Sequence, residues 1–164
     1  MKLSEETIGD NGVKYLIEYC DADNFTDLIE DKWHQIYAVC FIGDEMLIAN
    51  EPEGRGWGLI GGRKDEGETF EQTLRREVQE ESNMEILSYL PVGYRKIINT
   101  ETGNYLIQLR YAAKVQPYGD FVSDPAGVVT EIKLIDPTTY KLYFDWGPSG
   151  DRIIERAIQL KDKL

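Results

Sequence analysis

The sequence predicts an α/β fold, a mixed sheet with helices on both faces, on three observations. Short runs rich in β-branched and aromatic residues recur along the chain. Two stretches, residues 69–84 and 149–164, repeat apolar residues at helical spacing. A glycine pair, Gly61-Gly62, joins a strand-like run to the first of them. With 164 residues and 41% hydrophobic content, the chain has enough apolar material for the core of one domain.

Residues 1–33 hold one good strand candidate, residues 13–20 (VKYLIEYC), then an acidic stretch, residues 21–32 (DADNFTDLIEDK), read as a turn and a short helix. Residues 34–42 (HQIYAVCFI) and 45–49 (EMLIA), parted by Gly43-Asp44, are read as a hairpin that starts the central sheet. His34 has no visible partner and is read as structural rather than as a base or substrate contact. Residues 52–56 (PEGRG) form a loop, and residues 57–60 (WGLI) a short strand delivering the chain to Gly61 and Gly62. There bare backbone can approach a metal or phosphate closely.

From Thr69 the chain turns helical: good helix formers, no Gly or Pro until Pro91, and a capping box of Thr69 with Gln72 three residues on. At ~100° per residue, Phe70, Leu74 and Val78 fall on one stripe at roughly 0°, 40° and 80°. Glu77 and Glu81 land at roughly 340° and 20° on the same wheel, with Glu80 flanking them. Carboxylates gathered beside apolar surface are costly unless something positive compensates them. The simplest compensator is a divalent cation, and hard cations such as Mg²⁺ or Mn²⁺ prefer oxygen ligands.

Beyond the helix, residues 85–98 and 105–115 are two long strand candidates joined by the turn NTETGN. Arg95 and Lys96, near the end of the first, are read as cross-strand partners ahead of a role offsetting substrate charge. Residues 116–127 form a Pro-, Gly- and Asp-containing loop long enough to wall a pocket. Residues 128–135 (VVTEIKLI) are a further strand with Glu131 near its middle. Asp136-Pro137 opens a short helix, Asp at the cap and Pro in the first turn. Trp146 follows in a loop, where packing weighs against stacking on a base. The last helix, from Ser149, sets Ile153, Ala157, Leu160 and Leu164 against a charged face.

Gly62, five residues, Glu68, seven residues, then Arg76-Glu77-Val78-Gln79-Glu80-Glu81-Ser82-Asn83-Met84 resembles the Nudix box with every charged position filled. Asn83 stands where the family has Gly, and Asn is the best substitute in a left-handed helix-closing position. Ile60 stands where Pro is common upstream of the glycines. The resemblance implies a Nudix-type α/β/α sandwich with a mixed central sheet, one domain over residues 1–164, with residues 1–33 an extension whose role stays open. It implies hydrolysis of a diphosphate linkage in a nucleoside diphosphate joined to another moiety, with Mg²⁺ as cofactor and Mn²⁺ as the alternative. Metal ligands would be the Gly61 carbonyl, Glu77, Glu80 and Glu81. Glu131 is the best-placed further acid, in competition with Asp120, Asp124 and Asp136. Glu77, Glu80 and Glu81 are the catalytic carboxylates, with Glu77 and Glu81 candidates for the base, while Glu68 and Arg76 would tie loop to helix. The rival reading is a domain that senses a nucleotide without cleaving it, which loss of the box acids would favour.

The net charge of −12 opposes unaided binding of nucleic acid. No apolar run is long enough to span a bilayer. Cys20 and Cys40 lie in hydrophobic runs without ligand spacing and read as free thiols of a cytosolic protein. The partner expected is a small nucleotide or diphosphate substrate, with neither nucleic acid nor membrane. A homodimer stays open because dimers are common in the family.

Overall fold

A computed structural model describes residues 1–28 and 33–164, leaving out the side chains of Trp33 and His34. The short helix read into residues 21–32 falls partly outside the described residues, as does the side chain of His34. Among the described residues nine strands join one sheet: β1 (Lys2–Ile8), β2 (Lys14–Asp21), β3 (Trp33–Ile42), β4 (Glu45–Glu51), β5 (Gly56–Gly58), β6 (Ile60–Arg63), β7 (Met84–Asn99), β8 (Tyr105–Pro117) and β9 (Glu131–Ile135). Their order is β1-β2-β7-β8-β3-β4-β5, with β6 on β3 and β9 on β4. β3 and β8 run parallel and the other pairs antiparallel, so the sheet is mixed as expected.

Helix α1 (Phe70–Ser82) and helix α2 (Gly147–Leu160) cover opposite faces. The period-two alternation of β3 makes this plain. Ile36, Ala38 and Cys40 pack with Leu74 and Val78 of α1, whereas Val39 and Phe41 pack with Ile153, Ile154 and Ala157 of α2. A strand buried on both faces reads as a continuous apolar run, which is why residues 36–42 show no polar alternation. Both cysteines are free, Cys40 within the core. Among the described residues no helix is long and apolar enough to cross a membrane.

Three expectations need correcting. β1 was not foreseen, because five of its seven residues (KLSEETI) are polar or charged. Its order comes instead from antiparallel pairing with β2, making the N-terminal hairpin an edge extension of the sheet. The run read as one strand, residues 57–60, is split between β5 and β6, with Leu59 between them. The strand expected over residues 128–135 begins only at Glu131, so Glu131 opens the strand instead of sitting at its middle.

Candidate active site

The glycine pair sits on β6, registered with β3 so that Tyr37 faces Gly61 and Ile36 faces Gly62. Gly61 has φ of 143°, a region that side chains rarely enter, and a Cβ there would run into the Ile36 carbonyl. A Cβ on Gly62 would lie 2.6 Å from Glu77 Oε2. Bare backbone therefore lets the loop close onto the helix acids. The Gly61 N–H donates to Glu81 Oε2 at 2.8 Å.

Helix α1 is set by its caps. The Thr69 hydroxyl accepts from Gln72 N and the Gln72 side chain accepts from Thr69 N, completing the expected capping box. Asn83 closes the helix in the left-handed conformation, φ 54° and ψ 38°, as its place in the motif requires. Between these ends the buried positions are Thr73, Leu74, Glu77, Val78, Glu81 and Ser82. The wheel's central inference thus holds, since Glu77 and Glu81 share the buried stripe, each 8% exposed.

Two arginines hold the acids. Arg76 donates through Nε and Nη2 to both oxygens of Glu68, at 2.7 and 2.9 Å, and through Nη1 to Glu77 at 2.8 Å and Glu80 at 3.1 Å. Its Nη2 also reaches the Arg63 carbonyl at 2.8 Å, which ties loop to helix. Arg55 lies on the other side, where Nη2 donates to the two Glu81 oxygens at 3.0 and 3.2 Å and Nη1 to the Gly61 carbonyl at 3.3 Å. Glu51 braces Arg55 from behind, 3.0 Å from its Nε.

Burial raises Glu81 to about 7, outweighing Arg55 and the Gly61 N–H. Glu77 is also pushed up by burial, with Arg76 opposing. Glu68 goes the other way, held down to about 2 chiefly by its hydrogen bonds from Arg76. The motif therefore keeps two carboxylates in a setting where carrying charge is costly.

Gly61, Glu77, Glu80 and Glu81 line a cleft of about 620 Å³ with Arg55, Arg76 and Asp124. Glu131 does not line it. It is exposed at the start of β9, where register with Asn50 fixes its backbone. Asp124, from the loop before that strand, is 5% exposed and accepts from the N–H groups of Ala126 and Val129. Asp120 and Asp136 are absent from the lining as well. Among the described residues no three acidic, histidine or cysteine side chains stand as a ready ion cage, because Glu77, Glu80 and Glu81 are turned onto the arginines. The donor set nonetheless suits a hard cation, being three carboxylates and a backbone carbonyl. Arg55 acts as a stand-in cation, joining the Gly61 carbonyl to Glu81.

A second cavity, of about 450 Å³, opens beside the start of α2. Tyr37 and Arg55 line both cavities. Arg95, Gln108, Arg110 and Trp146 line the second, with Glu5, Glu6 and Thr7 from the N-terminal hairpin. Sequence reasoning left Arg55 and Arg110 unread and gave Arg95 a pairing role. Arg110 carried a usable signal, since a cation in the middle of the strand-like run residues 105–115, flanked by Leu109 and Tyr111, must be buried or paired.

A glycine loop and an acid-bearing helix, docked on a mixed sheet with a second helix behind, form a cleft built around oxygen donors. A family model for the NUDIX domain matches residues 32–156, and the chain belongs to that family. Among curated proteins no sequence match is found. Solved structures share the fold. The pyrophosphohydrolase BsRppH of Bacillus subtilis aligns at TM-score 0.66 and 17% identity over 96% of this chain and 97% of its own. The NUDIX domain of Shewanella oneidensis NrtR, complexed with ADP ribose, aligns at 0.61 and 19%, over 82% and 91%. A MutT NUDIX hydrolase of Burkholderia pseudomallei aligns at 0.58 and 18%, over 74% and 95%.

Proposed function

We propose that the protein is a divalent-metal-dependent pyrophosphohydrolase that cleaves the diphosphate linkage of a nucleoside diphosphate joined to another moiety, with Mg²⁺ as the metal. The observation that carries this reading is the placing of Glu77 and Glu81 on the buried stripe of α1, beside the Gly61 carbonyl, with Arg76, Arg55 and the Gly61 N–H offsetting them. Glu77, Glu80, Glu81 and the Gly61 carbonyl would hold the cation. When bound there, it would neutralise phosphate oxygens and lower the pKa of an attacking water.

The chain's own residues supply the rest. Arg76 fixes the rotamers of Glu77 and Glu80 from the tied end of the motif. Arg55, released from the Gly61 carbonyl and Glu81, is in reach of phosphate oxygens in the same cleft. A proton from water must go to a carboxylate on the cleft wall. Glu77 and Glu81 are the candidates on the helix, and Asp124 is the loop acid nearest the cleft. The N-terminal hairpin belongs to the same domain in this reading, because it closes one wall of the adjoining cavity.

The test is product release from nucleoside triphosphates, nucleotide sugars, dinucleoside polyphosphates and ADP-ribose, each with Mg²⁺ and with chelator. Chelator-sensitive cleavage of one class is expected and would name the substrate. No cleavage of any, with binding still seen as a thermal shift, would overturn the hydrolase in favour of a nucleotide-sensing domain.

A further inference from the structure

We propose that the cavity beside the start of α2 is an anion subsite, built by Arg95 and Arg110, for a phosphate group that the substrate carries beyond its scissile diphosphate. The inference rests on the proposed hydrolase reading for the word substrate; the anion subsite itself does not.

Arg95 is 7% exposed and Arg110 3%. Buried guanidiniums are kept in proteins by carboxylate partners or by a ligand. Here the acceptors are all neutral: Arg95 donates to the Trp146 carbonyl, and Arg110 to the Leu109 carbonyl and the Gln108 amide oxygen. The Nε of each is buried and without a hydrogen-bond partner among the described residues. Among the described residues none of the cavity's acids, Glu5, Glu6 and Asp145, accepts a hydrogen bond from either guanidinium; Glu5 takes the Ser149 hydroxyl and acts on Arg95 only through space. The register of β7 on β8 sets Arg95 opposite Gln108 and Gly93 opposite Arg110, so the two cations are diagonal neighbours opening on one space. Burial pushes the Arg110 guanidinium below its ordinary value, and Arg95 adds like-charge repulsion. An anion between them relieves both.

A tetrahedral dianion fits this arrangement better than a carboxylate, which one guanidinium fork satisfies. The subsite also connects to the acid cleft. Arg110 lies over the Tyr37 ring at 4.5 Å and Arg55 at 5.3 Å, and Tyr37 and Arg55 border both cavities. A ligand can thus run from the box acids past Tyr37 to the arginine pair. Trp146, with Arg95 5.7 Å from its ring, bounds the far side.

The test uses inorganic phosphate as probe, with chelator present, in calorimetric titrations of the wild type, Glu80→Gln, Arg95→Gln and Arg110→Gln. Phosphate should bind the wild type and E80Q alike, and each arginine variant at least about tenfold more weakly. Without phosphate the Arg110 variant should melt no lower than the wild type, since the charge removed has no carboxylate partner among the described residues. Wild type that ignores phosphate, or arginine variants that bind it equally, overturns the subsite. Should the variants fail to fold, the Nε–H NMR signals of Arg95 and Arg110 in the wild type decide: a shift on adding phosphate supports the proposal and unmoved signals overturn it. Neither readout needs metal or turnover, so an inactive protein that still binds phosphate through these arginines removes the hydrolase and leaves the subsite. In an active enzyme, a nucleoside diphosphate linked to a phosphorylated sugar should outcompete the one linked to the neutral sugar, and R110Q should erase that preference. Equal kcat/KM for the two in the wild type contradicts the extra phosphate.

Discussion

Glu68 and Glu81 belong to one motif, carry the same side chain and each meet an arginine in two contacts, yet their surroundings differ in sign. Glu68 takes two hydrogen bonds from Arg76, one from Thr73 and one from the Asp65 N–H, and lies far below its ordinary pKa. Glu81, deeper against the sheet, is raised to about 7 although Arg55 and the Gly61 N–H face it. One end of the motif is electrostatically complete. The other is left short of positive charge, and that shortage is what a divalent cation would make good.

The comparison can be broken first at Glu81. E81Q should lower metal-dependent turnover by about 10²-fold or more, the rate equivalent of several kcal/mol of lost charge stabilisation, while circular dichroism and melting show an intact fold. Wild-type turnover in this variant would remove the distinction between the two ends. Gly61→Ala attacks the same end through the backbone. With a positive φ and the Ile36 carbonyl in the way, it should cost about 2–4 kcal/mol, or about 10 °C in melting temperature.

Acidity sharpens the contrast, because the two ends respond in opposite directions. Glu68 is depressed when folded, so its contribution is present above about 4.5 and is lost as pH falls toward about 2. Glu81 is raised when folded, so its contribution is present below about 4.5 and is lost as pH rises through about 7. Metal-free melting curves should therefore show E68Q losing part of the wild type's acid slope, the rest staying with Asp21 and other depressed carboxylates, and E81Q gaining on the wild type between pH 5 and 8. The smallest effect is expected at the cap. Thr69→Ala should cost about 1 kcal/mol in chemical denaturation and leave metal dependence alone, since it loosens the tied end without touching the cleft acids.

What could be read from the chain was what is encoded locally. The capping box of Thr69 and Gln72, the left-handed Asn83 and the burial of Glu77 and Glu81 all follow from spacings within one helix. The turn opened by Asp136 and Pro137 was equally legible and forms a 3-10 helix, Pro137–Leu142. What could not be read depends on register between distant segments. Arg110 reaches Tyr37 because β8 runs parallel to β3 at that pairing, and no local pattern carries that information. Arg55 meets Glu81 across a separation of 26 residues. Asp124 lines the cleft and Glu131 does not, because of where the loop carrying Asp124 turns, through the bonds from Ala126 and Val129. β1 is held by its neighbour, so its own polar sequence gave no sign of it.

The most direct measurement is a Mn²⁺ titration, followed by electron paramagnetic resonance, of the wild type, Glu81→Gln and Glu68→Gln. The account predicts a saturable site in the wild type, weakened at least about tenfold in E81Q and unchanged in E68Q, because only the first removes a proposed oxygen ligand. Equal Mn²⁺ affinity in the wild type and E81Q would contradict it, and Arg55 would then be the lasting partner of Glu81.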